Sequence, residues 1–151
     1  MFRQLTAPTR FLLAIVTLAL SFGSLAACSS APSAPPPSTY TTTLTESDVP
    51  SDFPEDVRGL LLGTWELALG NDNRYQVSKD GNLMLEGHYT STKDQMALTD
   101  EGGPAACLEP GQQTGTYKWS VNGQTLTLTP IDDQCGGRSL VLATHPLTKQ
   151  K

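Results

Sequence analysis

The chain has 151 residues, of which 10 are basic and 15 acidic, so its formal net charge at pH 7 is −5. This acidity argues against nucleic acid as a partner and against anionic lipid head groups as a binding surface, because both would repel it. The length, with a hydrophobic content of 38%, allows one domain with a modest core rather than two.

The N-terminal segment has the pattern of an export signal. Arg3 and Arg10 give a basic start without acidic residues, and the apolar run FLLAIVTLAL follows at residues 11–20. That run is too short to cross a bilayer comfortably and too apolar for a soluble helix with a polar face. We therefore predict that residues 1–27 are a removable signal peptide. Cleavage would leave 8 basic residues against 15 acidic ones, a net charge of −7.

Residues 25–28, with the sequence LAAC, follow the apolar run. They resemble the lipobox of bacterial lipoproteins, in which the cysteine thiol receives a diacylglyceryl group and the new amino terminus is acylated, for example with palmitate. The resemblance implies a membrane protein of the cell envelope, anchored through Cys28 by its lipid. With Ser29 next, it would lie in the outer membrane of a diderm bacterium, or on the outer face of a monoderm plasma membrane. The alternative is an ordinary secretory signal followed by an incidental cysteine.

The next segment is rich in proline, serine and threonine. Residues 29–46 (SSAPSAPPPSTYTTTLTE) contain four prolines and few side chains to bury. This composition predicts an extended spacer that, at about 3.1 Å per residue, holds the domain several tens of Å from the membrane. We therefore divide the mature chain into residues 28–46, the lipidated cysteine and linker, and residues 47–151, the folded domain.

A short helix is predicted at the start of that domain. Residues 51–56 supply capping and acidic side chains suited to a helix amino terminus, and the sequence VRGLLL at 57–62 would complete one or two turns. A helix of this length is not stable alone, so we expect it to plug one end of the structure that follows.

The remainder of the chain alternates apolar and polar residues with the period of β-strands. Hairpin-length links join the strands, which predicts an all-β fold: a small antiparallel up-and-down β-barrel, or a strongly curled sheet, of seven or eight short strands. The predicted strands are residues 63–69, 75–79, 83–90, 95–99, 116–121, 124–129 and 138–144, with a possible eighth at 105–108.

Two hairpins allow the strand register to be predicted. A three-residue loop at 80–82 would set Val77 opposite Leu85 and keep the apolar residues of both strands on one face. A two-residue turn at Asn122-Gly123 would set Trp119 opposite Leu126.

Two cysteines remain once Cys28 is assigned to the anchor. Cys107 and Cys135 form an even pair in an exported chain, which predicts a disulfide. Closing a loop of about 29 residues contributes roughly 3 to 4 kcal/mol in the chain-entropy model. The alternative is a metal-binding or redox pair.

The first predicted strand carries a second resemblance. Gly63-Thr64-Trp65 is similar to the GxW signature of lipocalins, and the late Arg138 is similar to the arginine that packs over that tryptophan in the family. The resemblance covers residues 55–145 and implies a lipocalin-like barrel whose base is closed by Trp65, with Arg138 hydrogen-bonding carbonyls of the segment before the strand. The aromatic residues expected in the barrel interior or at a ligand are Tyr75, Tyr89, Tyr117 and Trp119.

Catalytic motifs are scarce. The two histidines, His88 and His145, are far apart in sequence and neither lies in a zinc or nucleophile motif. Asp132 and Asp133 are adjacent carboxylates that either form a solvated turn or bind a cation. We expect a monomer that is not an enzyme, with no cofactor and no metal.

Two functions from different classes remain. The favoured one is a membrane-anchored lipoprotein whose barrel binds a small apolar ligand. The alternative is a protein-interaction or inhibitor module, resembling the small β-barrel lipoproteins that inhibit lysozymes or proteases and acting through the loop at 100–115. A passive envelope component without a ligand is the third possibility.

Overall fold

A computed structural model describes residues 33–151. The predicted signal peptide and Cys28 lie outside these residues. Among the described residues, no helix is long and apolar enough to cross a membrane. The strands are β1 (Ser38–Leu44), β2 (Gly63–Leu69), β3 (Arg74–Lys79), β4 (Asn82–Ser91), β5 (Gln95–Gly102), β6 (Thr114–Asn122), β7 (Thr125–Asp132) and β8 (Leu147–Lys149). The helices are α1 (Glu55–Leu61), α2 (Gly136–Ala143) and one 3₁₀ turn (Glu46–Asp48).

The strands form a closed antiparallel barrel. Each strand pairs with the next one in the chain, and β8 pairs with β1 to complete the circle. This arrangement confirms the predicted up-and-down barrel with a short N-terminal helix. The possible strand at 105–108 is not formed, because these residues belong to the loop between β5 and β6. Closure pairs the strand edges that an open sheet would expose.

The first strand lies inside the segment predicted to be a spacer. Residues 38–44 form β1, which pairs along its whole length with β2. The spacer prediction is therefore wrong for these residues, and the barrel begins before residue 47. The threonine-rich composition suggested a stalk, but threonine is β-branched and favours strands. Tyr40 and Leu44 supply the buried face of the strand.

The predicted last strand is a helix. Residues 136–143 form α2, and the barrel is closed instead by β8, which follows it. Arg138, Val141 and Leu142 are the buried residues of α2. Their spacing of three and four residues places them on one helix face. In so short a segment, the apolar residues also fit the alternation of a strand, so the period alone does not distinguish the two structures.

The hairpin between β3 and β4 keeps the predicted pairing with a different turn. Val77 lies opposite Leu85, as predicted, but the loop contains two residues instead of three. Asp80 and Gly81 both have positive φ, as type I′ turns require. A β-bulge between Val77 and Ser78 compensates for the shorter loop and preserves the buried face.

The hairpin between β6 and β7 differs from its predicted register. Trp119 lies opposite Leu128 rather than Leu126, a shift of two residues, and Asn122 pairs with Thr125. Gly123, with φ of 60°, takes the first central position of the turn, as in type II′. Because a shift of two residues leaves each side chain on its own face, Trp119 still points inward.

The two ends of the barrel are built differently. Short connections at 70–73, 92–94 and 123–124 form one end, at which β1 begins and β8 ends; we call it the turn end. The helix end carries α1, α2, the turn at 80–81 and the loop at 103–113.

Candidate functional site

The barrel interior is filled by side chains. Successive strands contribute buried apolar residues, so the axis of the barrel is a packed core. The four aromatic residues expected in the interior are all buried: Tyr75, Tyr89, Tyr117 and Trp119.

Aromatic side chains close the barrel at the turn end. Three of them donate hydrogen bonds to backbone carbonyls of the segments that cross this end. These bonds join Tyr40 Oη to the Pro36 oxygen at 2.8 Å, Tyr89 Oη to the Gly70 oxygen at 2.8 Å and Trp119 Nε1 to the Thr92 oxygen at 3.0 Å. Each ring thus fills the interior while its polar atom finds a partner at the rim.

A buried guanidinium occupies the interior at the helix end. The side chain of Arg138, 0% exposed, lies 2.8 Å from Asp100 and 2.7 Å from Asp133, whose side chains are equally buried. Its Nε donates to Asp133 at 3.0 Å, and its two terminal nitrogens donate to the carbonyls of Gln113 and Gln112, both at 2.9 Å. All five N–H donors of an arginine are thereby satisfied, so the group has no donor free for a ligand.

Two tyrosines bind the carboxylates of this network. Tyr75 donates its hydroxyl hydrogen to Asp100, and Tyr117 donates to Asp133. Burial, followed by these hydrogen bonds, raises the pKa of both phenols far above the ordinary value. Asp100 was not recognised as a site residue. Asp100 continues the buried face of β5 that Met96 and Leu98 begin, and this position was the sign in the sequence that could have identified it. A carboxylate on a buried face requires a charged or hydrogen-bonding partner.

The tyrosines predict an alkaline limit to stability. The pKa values of Tyr40, Tyr75, Tyr89 and Tyr117 are all raised, chiefly by burial. A raised folded-state pKa leaves stability unchanged below the unfolded value of about 10 and lowers it as pH rises further. We expect phenolate absorbance and near-ultraviolet circular dichroism to change together in one transition above about pH 10. Phenolate formation in a barrel that keeps its dichroism would contradict this expectation.

The predicted disulfide between Cys107 and Cys135 is present. It joins the loop at 103–113 to the residue before α2, with a Cα separation of 6.0 Å. The backbone N–H of Cys107 donates to Asp100 at 2.8 Å, and that of Cys135 donates to Asp133 at 2.8 Å. The sulfurs lie within 4.8 Å of an Asp100 oxygen. Joined to each other, they offer no thiolate to a metal.

The cation over Trp65 is Lys79. Its Nζ lies 5.9 Å from the ring centroid and donates to the Leu60 carbonyl of α1 at 2.8 Å. Trp65 Nε1 donates to the Leu61 carbonyl, also at 2.8 Å. The expected stacking of Arg138 on Trp65 is thus corrected: Lys79 joins the tryptophan to the segment before the strand. Arg138 instead belongs to a helix and neutralises buried carboxylates, which no other cation in the described residues contacts.

The adjacent carboxylates Asp132 and Asp133 point in different directions. Asp133 binds Arg138, whereas Asp132 is exposed and accepts a hydrogen bond from Gln134 at 3.1 Å. The two therefore do not form a shared cation site.

The histidines lie in separate surface ion pairs. His88 Nδ1 is 2.8 Å from Glu101, which also binds Arg74. These hydrogen bonds, that of His88 first, lower the pKa of Glu101. His145 Nε2 is 2.8 Å from Asp48.

One small apolar pocket remains inside the helix end of the barrel, beneath α2. Its volume is about 90 Å³, and α2 lines it with Val141 and Leu142 opposite Trp65 and Leu85. Pockets for drug-sized ligands typically measure about 300 to 1,000 Å³. This pocket admits a group of only a few carbon atoms.

The helix end also carries exposed apolar side chains. In the described residues, the large apolar side chains that are most exposed are Leu60 (64%), Leu83 (45%), Leu108 (49%) and Ile131 (48%), and all lie at this end. The connections at 45–62, 80–81 and 103–113 carry the carboxylates Glu46, Asp48, Asp52, Glu55, Asp56, Asp80 and Glu109 against the single cation Arg58. We call these residues together the helix-end surface.

Comparisons with protein-family models, with curated proteins and with solved structures find no match to this chain.

Proposed function

We propose that this chain is a lipid-anchored protein of the cell envelope, held through Cys28, whose barrel binds another envelope protein through the helix-end surface. The observation that carries the proposal is the filled interior, closed at the turn end by aromatic side chains and at the helix end by the Arg138 network. Because side chains occupy the interior, the outer surface of the barrel is the place where a partner would bind. The lipobox at residues 25–28 supports the anchor.

The helix-end surface has the composition of an interaction site. Exposed apolar side chains concentrated at one end favour contact with a partner. Its loop at 103–113 is held by the disulfide and by the bonds from Arg138 to Gln112 and Gln113. A loop already fixed in place loses little entropy on binding. The surrounding carboxylates favour a basic partner.

The location follows from the anchor. In a diderm bacterium, Ser29 after the cysteine supports sorting to the outer membrane, and in a monoderm the protein would lie on the outer face of the plasma membrane. In both envelopes the barrel acts as a monomeric binding module.

Photo-crosslinking in the host tests the proposed surface. With a photoreactive residue at Leu60 or Leu108, we expect an adduct of discrete mass to one protein. The same residue at Ser120, exposed on β6 near the turn end, should give none. A second substitution in the crosslinking chain, Leu83→Asp, should reduce the adduct at least about tenfold, since it places a charge in an apolar contact. Equal crosslinking from all three positions, or none from Leu60 and Leu108, would refute the surface.

A small apolar ligand is the second candidate function. The pocket beneath α2 favours it, because its lining is almost entirely apolar. A native mass spectrum of the chain purified from its own envelope separates the two candidates: a bound small molecule of constant mass supports the ligand, and a bare chain supports the protein partner.

A further inference from the structure

The lysines of the described residues are concentrated at one end of the barrel. Four of the five lie at the turn end, and the fifth, Lys79, lies at the helix end. We call the four the lysine patch: Lys93, Lys118, Lys149 and Lys151. Lys93, Lys118 and Lys151 are exposed, Lys149 is half-buried, and no ion pair of the described residues involves a lysine.

The fold brings these lysines together from different strands. Lys93 lies in the β4–β5 turn, and Lys118 lies opposite Gln95 at the start of β5. The backbone N–H of Lys149 donates to the Gln124 carbonyl in the β6–β7 turn at 2.7 Å. The carboxylates at this end are Asp72 and Asp94 in the short connections and Glu66, which accepts a hydrogen bond at 2.9 Å from Gln150, between Lys149 and Lys151. Four lysines therefore lie beside three carboxylates, a small local excess of positive charge. The acidic overall composition conceals this local excess.

The chain enters the barrel at the turn end, and only a short segment separates Cys28 from the barrel. Pro35 is fully buried and Tyr40 binds the Pro36 carbonyl at 2.8 Å, so the packed structure begins at about residue 35. Seven residue steps separate Cys28 from Pro35, and a fully extended chain covers at most about 25 Å over that distance. Because β1 belongs to the barrel, the chain available between an anchor at Cys28 and the barrel is much shorter than a spacer ending at residue 46 would provide.

We propose that the lysine patch seats the turn end of the barrel on anionic phospholipid head groups of the membrane that holds the anchor, so that the helix-end surface points away from the bilayer. The inference rests on the anchor proposed at Cys28. It departs from the expectation that net acidity argues against an anionic lipid surface. The charges of the two ends act separately, because the Debye length is only about 8 Å at physiological ionic strength.

The size of the effect follows from the charges. Each lysine near an anionic leaflet raises the docking constant about fivefold at physiological salt. Tethering through Cys28 would keep the lysine patch at a high local concentration near the membrane, so docking requires only a small excess of positive charge. Lys79 at the opposite end is an internal reference.

The experiment uses the mature, acylated chain in vesicles of equal parts phosphatidylglycerol and phosphatidylcholine, and in vesicles of phosphatidylcholine alone. An amine-acylating reagent is added, and the labelling rate of each lysine is measured by peptide mass spectrometry. We expect Lys93, Lys118 and Lys151 to react at least about fivefold more slowly in the anionic vesicles. The rate for Lys79 should be the same in both, and high salt should remove the difference.

A charge variant tests the patch itself. Replacing Lys118 and Lys149 with glutamine should weaken docking about 25-fold, so that Lys93 and Lys151 react at nearly the rate seen in neutral vesicles. The matched control, Lys118→Arg with Lys149→Arg, keeps both charges and should leave the protection of Lys93 and Lys151 unchanged.

The possible outcomes distinguish a failure of the proposed membrane docking from a failure of the proposed lipid anchor. Equal labelling in both kinds of vesicle, or protection of Lys79 instead of the patch, would overturn the proposed seating while leaving the anchor intact. A mature chain that lacks the acyl group and stays in the supernatant would overturn the anchor and, with it, the seating.

Discussion

Replacing Arg138 with methionine is expected to lower the free energy of unfolding by about 3 to 5 kcal/mol. The change removes the one cation bound to the buried carboxylates of Asp100 and Asp133 and leaves both charges uncompensated. It also removes the donors to the Gln112 and Gln113 carbonyls. The loss is large for a small domain, whose total stability is about 5 to 15 kcal/mol.

Urea denaturation followed by tryptophan fluorescence measures this loss. The control Lys118→Met, an exposed residue on β6, should change stability by less than about 0.5 kcal/mol. Adding Asp100→Asn and Asp133→Asn to the Arg138→Met chain should recover part of the loss, because the buried charges are then gone. A loss below about 1 kcal/mol for Arg138→Met alone would show that the network is not required for stability.

Replacing both Cys107 and Cys135 with serine is expected to destabilise the barrel by about 3 to 4 kcal/mol. The bridge spans 28 positions and joins the loop at 103–113 to the start of α2. Without it, the unfolded chain gains the entropy of the open loop. The folded chain also holds the loop less firmly, including the carbonyls that Arg138 binds.

Thermal and urea unfolding of the oxidised chain, the reduced chain and the serine variant check this value. The reduced chain and the serine variant should agree within about 1 kcal/mol, since both lack the covalent link. Combining the serine replacements with Arg138→Met should give less than the sum of the two losses, because both act on the same loop. Full additivity would indicate that the bridge and the arginine stabilise the fold independently.

The sequence was most informative where one face of a strand is buried. In β2, the alternation of Trp65, Leu67 and Leu69 predicted the buried face, because strand side chains alternate strictly between the two faces. The pairing of Val77 with Leu85 was also correct, as was the disulfide between Cys107 and Cys135.

Local patterns failed where tertiary contacts decide the structure. The threonine-rich segment at 38–44 is a strand because β2 and β8 are available to pair with it, and composition alone gives no sign of those partners. The segment at 136–143 is too short for its period to be assigned reliably, and packing of one helix face against the barrel selects the helix.

The sequence by itself determined the class of fold, the antiparallel hairpins and the disulfide, because these depend on alternation, on turn residues and on cysteine number. Only the tertiary structure decided that Lys79 lies over Trp65, that Arg138 neutralises Asp100 and Asp133, and that the lysines share one end. Each of these depends on residues far apart in the chain, and closure of the barrel alone brings them together.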